Sequence, residues 1–159
     1  MRIRHCRFRH SICIAIVEIN LIMGNKKKKI LVAEDFEPAR KIMADILSAL
    51  GYDYETAENG FDVIFALKKS DFDIILLDLQ MPMLDGFETV EHIRRNTGYP
   101  TNATPVVAMT GKDLALELDQ TYEGEGFDGV IEKPFSLDRL DKLLKDVLEK
   151  SSVKKKKKL

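Results

Sequence analysis

The sequence predicts an α/β protein in which a parallel sheet is covered by helices on both faces. Two observations carry this. From Ile30 onward, short apolar runs alternate with segments of helical period, as repeated βα units require. The central runs are apolar nearly throughout, which suits strands buried on both sides rather than on one.

Five units follow in order. The first strand reads Ile30 to Glu34, and the helix after it carries Ala39, Ile42, Met43, Ile46, Leu47 and Leu50, opened near Pro38 and closed by Gly51. Asp53 to Ala57 is the least apolar strand and is placed at an edge. Asn59 caps a second helix bearing Phe61, Ile64, Phe65 and Leu67. The third strand is Asp73 to Asp78, and Asp85 caps a helix with Phe87, Val90 and Ile93. Pro105 to Met109 is the fourth strand. The helix after it, Leu114 to Tyr122, is the least defined, since Leu114, Leu116 and Leu118 also fit strand alternation. Gly129 to Glu132 is the fifth strand, and Ser136 caps a last helix with Leu137, Leu140, Leu143, Leu144, Val147 and Leu148 on one face.

The 159 residues, 45% hydrophobic and 32% charged, suit one domain with a core and exclude collagen, extended disorder and a multidomain enzyme. The formal charge of −1 conceals a division. Residues 30–153 carry 12 basic and 25 acidic side chains, a net of −13, while Lys26 to Lys29 and Lys154 to Lys158 are basic runs. An acidic body repels phosphate backbones, so the lysine runs read as solvated ends. Both cysteines, Cys6 and Cys13, precede the folded part, which therefore has no disulfide or thiolate metal site, and a reducing, cytoplasmic setting is expected.

Three segments are expected: an N-terminal extension over 1–28, a folded domain over 29–150 and a basic, disordered tail over 151–159. Arg2, Arg4, Arg7 and Arg9 before the apolar stretch Ile12 to Met23 outline a signal or anchor, but Glu18 and Asn20 interrupt it. It is also shorter than the ~20 apolar residues of a spanning helix, so no membrane span is expected. Met23 is the expected natural start, which the mass of the native protein tests. No second domain, and so no DNA-binding domain, is expected after Leu148. Asn102-Ala103-Thr104 fits a glycosylation sequon that has no meaning without secretion.

In a parallel α/β sheet, ligands bind beyond the carboxyl ends of the strands. Those ends carry Glu34 and Asp35, then Asp78, then Thr110-Gly111, then Lys133-Pro134. Crowded carboxylates repel one another unless a cation neutralises them. Oxygen donors with neither His nor Cys favour Mg²⁺. Any one of these residues could be a cap, a turn former or an ordinary strand end; together they fall at four strand ends on the edge where sites occur.

Asp78-Leu-Gln-Met-Pro-Met-Leu-Asp-Gly86, with Glu34-Asp35 before it and Thr110-Gly111 and Lys133-Pro134 after it, resembles the receiver domain of two-component response regulators over about residues 29–150. The resemblance implies a flavodoxin-like, doubly wound fold of five strands in the order 2-1-3-4-5 with five helices. It implies that Asp78 accepts a phosphoryl group from phosphohistidine on a histidine kinase or phosphotransfer protein. Asp35 and Asp78 would ligate Mg²⁺, Gln80 would do so through its main-chain carbonyl, and Glu34 through water. Lys133 would pair with the phosphoryl group and Thr110 would hydrogen-bond it, drawing its loop along and switching binding to an output protein. Where the family has an aromatic residue that swings inward, three positions before the lysine, this chain has Val130. Gln80 and Lys112 occupy the positions that tune autodephosphorylation.

Other readings lose ground on the same residues. Gly124 to Gly129 matches a dinucleotide fingerprint but opens a strand instead of a helix, and Gly111-Lys112 lacks the rest of a P-loop. A Mg²⁺-dependent aspartyl-phosphate hydrolase would need a second Asp where Gln80 stands, and an amide cannot shuttle a proton. A purely binding domain is disfavoured by the intact set Asp35, Asp78, Thr110 and Lys133. A receiver fragment of a hybrid histidine kinase is the remaining alternative. His92 is read as a surface residue.

Overall fold

The computed structural model describes residues 27–118 and 121–156. Residues 1–26, which hold most of the expected N-terminal extension with Met23, lie outside the described residues, as do 157–159. Five parallel strands, β1 (Lys29–Ala33), β2 (Asp53–Ala57), β3 (Ile74–Asp78), β4 (Val106–Thr110) and β5 (Gly129–Glu132), form one sheet in the order β2-β1-β3-β4-β5. The helices are α1 (Glu37–Ala49), α2 (Gly60–Lys69), α3 (Gly86–Asn96), α4 (Lys112–Leu118) and α5 (Leu137–Lys156), with a 3₁₀ turn at Thr101–Ala103. This is the flavodoxin-like fold with its expected strand order.

Alternation along the strands sorts the core into two layers. Ile30, Val32, Ile74, Leu76, Val107, Met109 and Ile131 face α1 and α5, where they meet Met43, Leu47, Leu140, Leu144 and Val147. Leu31, Ala33, Ile75, Leu77, Val106 and Ala108 face the other way, onto Val63 and Leu67 of α2, Val90 and Ile93 of α3 and Leu118 of α4. All five residues of β3 and of β4 are buried, whereas β2 buries only Ala57 and lies at the edge, as its composition predicts. At about 1.5–3 kcal/mol per fully buried large apolar side chain, these two layers are the main source of stability.

The helix starts are written locally. Asn59 Oδ1 accepts the Asp62 N–H at 3.0 Å, and Ser136 Oγ accepts from the Arg139 N–H at 3.3 Å. Asp85 and Glu88 form a reciprocal capping box, the Glu88 N–H donating to Asp85 Oδ1 at 2.8 Å and the Asp85 N–H to Glu88 Oε2 at 3.1 Å. Gly51, at φ +83°, ends α1 in a conformation that costs other residues strain.

Several expectations need correction. Ile42, Phe61, Phe65 and Leu137, members of the apolar patterns of their helices, are all exposed. Their helices bury a narrower stripe than the apolar pattern spans, and α2 commits only Val63, Leu67 and the close-packed Gly60. Over 112–118 the ambiguous leucine segment is helical, with Leu114 and Leu118 packed toward the core. The last helix also runs past the boundary expected at 150, as far as Lys156. Within it Ser152 Oγ donates to the Leu148 carbonyl at 2.9 Å.

Candidate functional site

Strand order reverses between β1 and β3, and the crevice beyond their carboxyl ends is where this architecture binds ligands. Glu34 and Asp35 follow β1 directly, and Asp78 is the last residue of β3. Their carboxylates come together, with one oxygen from each within 4.8 Å of the others. Glu34 and Asp78 are buried and Asp35 is exposed. Asp35 does not cap α1: the N-cap is Phe36, and no side chain caps that helix.

Lys133, one residue past β5, joins the cluster from the far side of β4. Its Nζ donates to Glu34 Oε2 and to Asp78 Oδ2, each at 2.5 Å. The Gln80 N–H donates to Asp78 Oδ1 at 2.9 Å, so both oxygens of Asp78 are oriented. The backbone holds Lys133 in place, its N–H donating to the Thr110 carbonyl at 2.7 Å. Burial pushes the Glu34 carboxyl above its ordinary range; the bond and charge of Lys133 oppose that rise, and the charge of Asp78 adds to it. Burial also works to lower the Lys133 ammonium, but the bonds to Asp78 and Glu34 outweigh it and the net direction is upward.

Thr110 ends β4, next to the Asp78–Met109 register pair. Its Oγ1 is buried and has no hydrogen-bond partner, the only such side-chain atom among the described residues. An unsatisfied buried hydroxyl costs roughly 1–3 kcal/mol, which marks it as a place where a missing acceptor would fit. Val130 is half-buried and packs against the α2–α4 layer. Gly124 to Gly129 leads into β5 and opens no helix, and His92 is half-buried on α3 with its Nδ1 3.2 Å from Asn96 Nδ2. Glu34, Asp35, Asp78 and Lys133 therefore bring their side chains to this one edge, Gln80 bonds Asp78 through its main-chain N–H, and Thr110 ends the neighbouring strand.

Sequence reading missed Arg40. From α1 its Nη1 donates to the carbonyls of Glu34 at 2.7 Å and Asp35 at 3.2 Å, and its Nη2 donates to Glu58 Oε1 at 2.8 Å. The two bonds to the acidic residues go to main-chain atoms, so no pairing of residue types announces them.

Clustered carboxylates bridged by a lysine thus lie at the switch point of a doubly wound α/β domain, with an unpartnered threonine hydroxyl at the end of the neighbouring strand β4. Comparison with known proteins makes this specific. Residues 30–145 match the response regulator receiver domain, and the chain belongs to that family. It is 37% identical over 121 residues to the sensor histidine kinase RcsC of Salmonella typhi, covering 76% of this chain and 12% of that protein. It is 31% identical over 133 residues to the autoinducer 1 sensor kinase/phosphatase LuxN of Vibrio harveyi, covering 84% and 15%. This chain thus spans a small part of these relatives. Among solved structures, the chemotaxis response regulator CheY4 of Vibrio cholerae superposes with a TM-score of 0.69 at 31% identity, over 77% of this chain and 99% of that one. The protein is a phosphorelay receiver domain, and its acidic cluster is compatible with Mg²⁺. No helix among the described residues is long and apolar enough to cross a membrane.

Proposed function

We propose that Asp78 is the phosphoacceptor and that its phosphorylation switches binding to an output protein. The carrying observation is Lys133 spanning Glu34 and Asp78 at 2.5 Å each, beside the unpartnered Thr110 hydroxyl. A carboxylate oxygen of Asp78 attacks phosphorus, the phosphorus–nitrogen bond of phosphohistidine breaks, and the imidazole leaves with the electron pair and takes up a proton. Phosphoryl transfer asks a protein for alignment and charge neutralisation, and Lys133 supplies a positive centre for it. The Thr110 hydroxyl finds its missing acceptor in a phosphoryl oxygen. A donor set of hard oxygens with no imidazole or thiolate fits Mg²⁺, held by Asp35 and Asp78, by the Gln80 carbonyl and by Glu34 through water. When bound, the ion neutralises charge on the transferring group.

The acyl phosphate adds roughly −1.5 to −2 charge at the sheet edge, and movement of Thr110 toward it carries the start of α4. Val130 has no aromatic ring to swing, so the signal leaves through the β4–α4 loop itself. The domain promotes only its own phosphorylation and dephosphorylation; Gln80, an amide, cannot act as the acid and base of a hydrolase. The donor is a histidine kinase or phosphotransfer protein in the cytoplasm. The kinase relatives support a second reading, with the kinase on the same polypeptide and the acceptor chemistry unchanged.

The test is labelling with acetyl phosphate and Mg²⁺, then with a phosphohistidine donor. Wild-type protein takes up label and Asp78→Asn does not. Uptake by Asp78→Asn would remove Asp78 as acceptor, and turnover of a small phosphate ester would revive the hydrolase.

A further inference from the structure

We infer that Arg40 is the positioning residue of the acidic pair: by gripping the main chain of Glu34 and Asp35 it sets their carboxylates at the spacing a divalent cation needs. This rests on the metal reading proposed above. β1 ends at Ala33, and the Glu34 N–H still donates to the Ala57 carbonyl at 3.1 Å. Beyond that bond the chain leaves the sheet. The Glu34 and Asp35 carbonyls then turn to a single nitrogen, Arg40 Nη1, at 2.7 and 3.2 Å. No other side chain donates to the main chain of residues 34–36 among the described residues, and Phe36 gives α1 no side-chain cap. The Arg40 side chain is 13% exposed, and its Nη2 is anchored by Glu58 at 2.8 Å. It forms a strut from α1 and the β2–α2 loop to the two residues that carry half the oxygen donors.

Charge argues the opposite outcome, which makes the inference decidable. A fixed positive group near a cation site repels the cation, so by Coulomb's law alone removing Arg40 tightens Mg²⁺ binding. If Arg40 acts by holding geometry, removing it weakens binding, as loss of partners that orient metal ligands commonly does by 10- to 100-fold.

The experiment titrates MgCl₂ calorimetrically into the wild-type chain and into the Arg40→Ala and Arg40→Lys variants, with thermal melts in EDTA to establish that each is folded. Expected are a Kd raised about tenfold in Arg40→Ala and a partial recovery in Arg40→Lys. In acetyl phosphate labelling the half-saturating Mg²⁺ concentration rises while the rate at saturating Mg²⁺ is retained. A folded Arg40→Ala with unchanged or lower Kd overturns the inference. Should Arg40→Ala fail to fold, Arg40→Met keeps the stem and removes both the charge and the donors; a raised Kd supports the inference and an unchanged or lower Kd overturns it. Wild-type protein that takes up no Mg²⁺ overturns the metal reading itself, and the role of Arg40 with it.

Discussion

Lys133 and Asp78 sit at the ends of strands separated by β4, yet the lysine Nζ donates to Asp78 Oδ2 at 2.5 Å. The same nitrogen holds Glu34. Lys133 thus serves as the resident cation of a cluster that would otherwise be three carboxylates in mutual repulsion, and in the metal reading a divalent ion would share that task.

Lys133→Met keeps the length of the stem and removes the charge. Breaking a buried pair commonly costs about 3–5 kcal/mol. The Lys133 side chain is 30% exposed, which reduces the loss here to about 1–3 kcal/mol in EDTA. Added Mg²⁺ should raise the melting temperature of the variant more than that of wild type, while labelling slows. Equal melting temperatures for both proteins in EDTA would count against the lysine as resident cation.

Gly86 opens α3 directly against the end of β3. A Cβ built there would lie 2.6 Å from the Asp78 carbonyl oxygen and 2.7 Å from Leu79 Cα, both backbone atoms that can yield only by moving the strand end. Gly86→Ala should therefore destabilise by about 2 kcal/mol, against the ~1 kcal/mol that Ala ordinarily gains over Gly in a helix. It should also slow labelling of Asp78. Urea denaturation decides it, a stabilised variant being the contrary result.

Arg94 ties three segments together far from the acidic cluster. Its Nε donates to the Gly126 carbonyl at 2.9 Å, Nη1 to the Asn102 and Thr104 carbonyls at 2.9 and 2.8 Å, and Nη2 to Asp128 Oδ2 at 2.9 Å. Burial lowers its pKa, with Asp128 opposing the shift. Arg94→Met leaves several carbonyls without donors and should cost about 2–4 kcal/mol. Arg94→Lys should recover little of it, because an ammonium cannot reproduce the planar fork. Equal urea midpoints for Arg94→Lys and wild type would show that the fork is unnecessary.

The comparison of Arg94 with Asp78 shows what was legible in the sequence. The strands were readable because β3 and β4 are buried on both faces and so carry unbroken apolar runs, and the caps Asn59, Asp85 and Ser136 because their bonds are local. The site was readable because its side chains follow strand ends, which the fold brings to one edge. Arg40 and Arg94 were not, since they bond mainly to carbonyls, and every residue has one. Phe61 and Phe65 misled because apolar periodicity marks a helix face without saying how much of it a neighbour covers.

Met83 adopts φ +68° in the loop between β3 and α3, the one non-glycine residue with positive φ among the described residues. The residue is 71% exposed, so little packing rewards the conformation. The left-handed region costs an ordinary residue about 1–2 kcal/mol, and a β-branched one fits it worse still. Met83→Val should therefore destabilise by about 1 kcal/mol. Met83→Gly removes the strain but adds unfolded-state entropy of about 0.5–1 kcal/mol, so it should equal or slightly exceed wild type. The order Gly at or above Met, and Met above Val, in urea midpoints is the expected outcome. A Val variant as stable as wild type would mean that the loop relaxes out of the left-handed region at little cost.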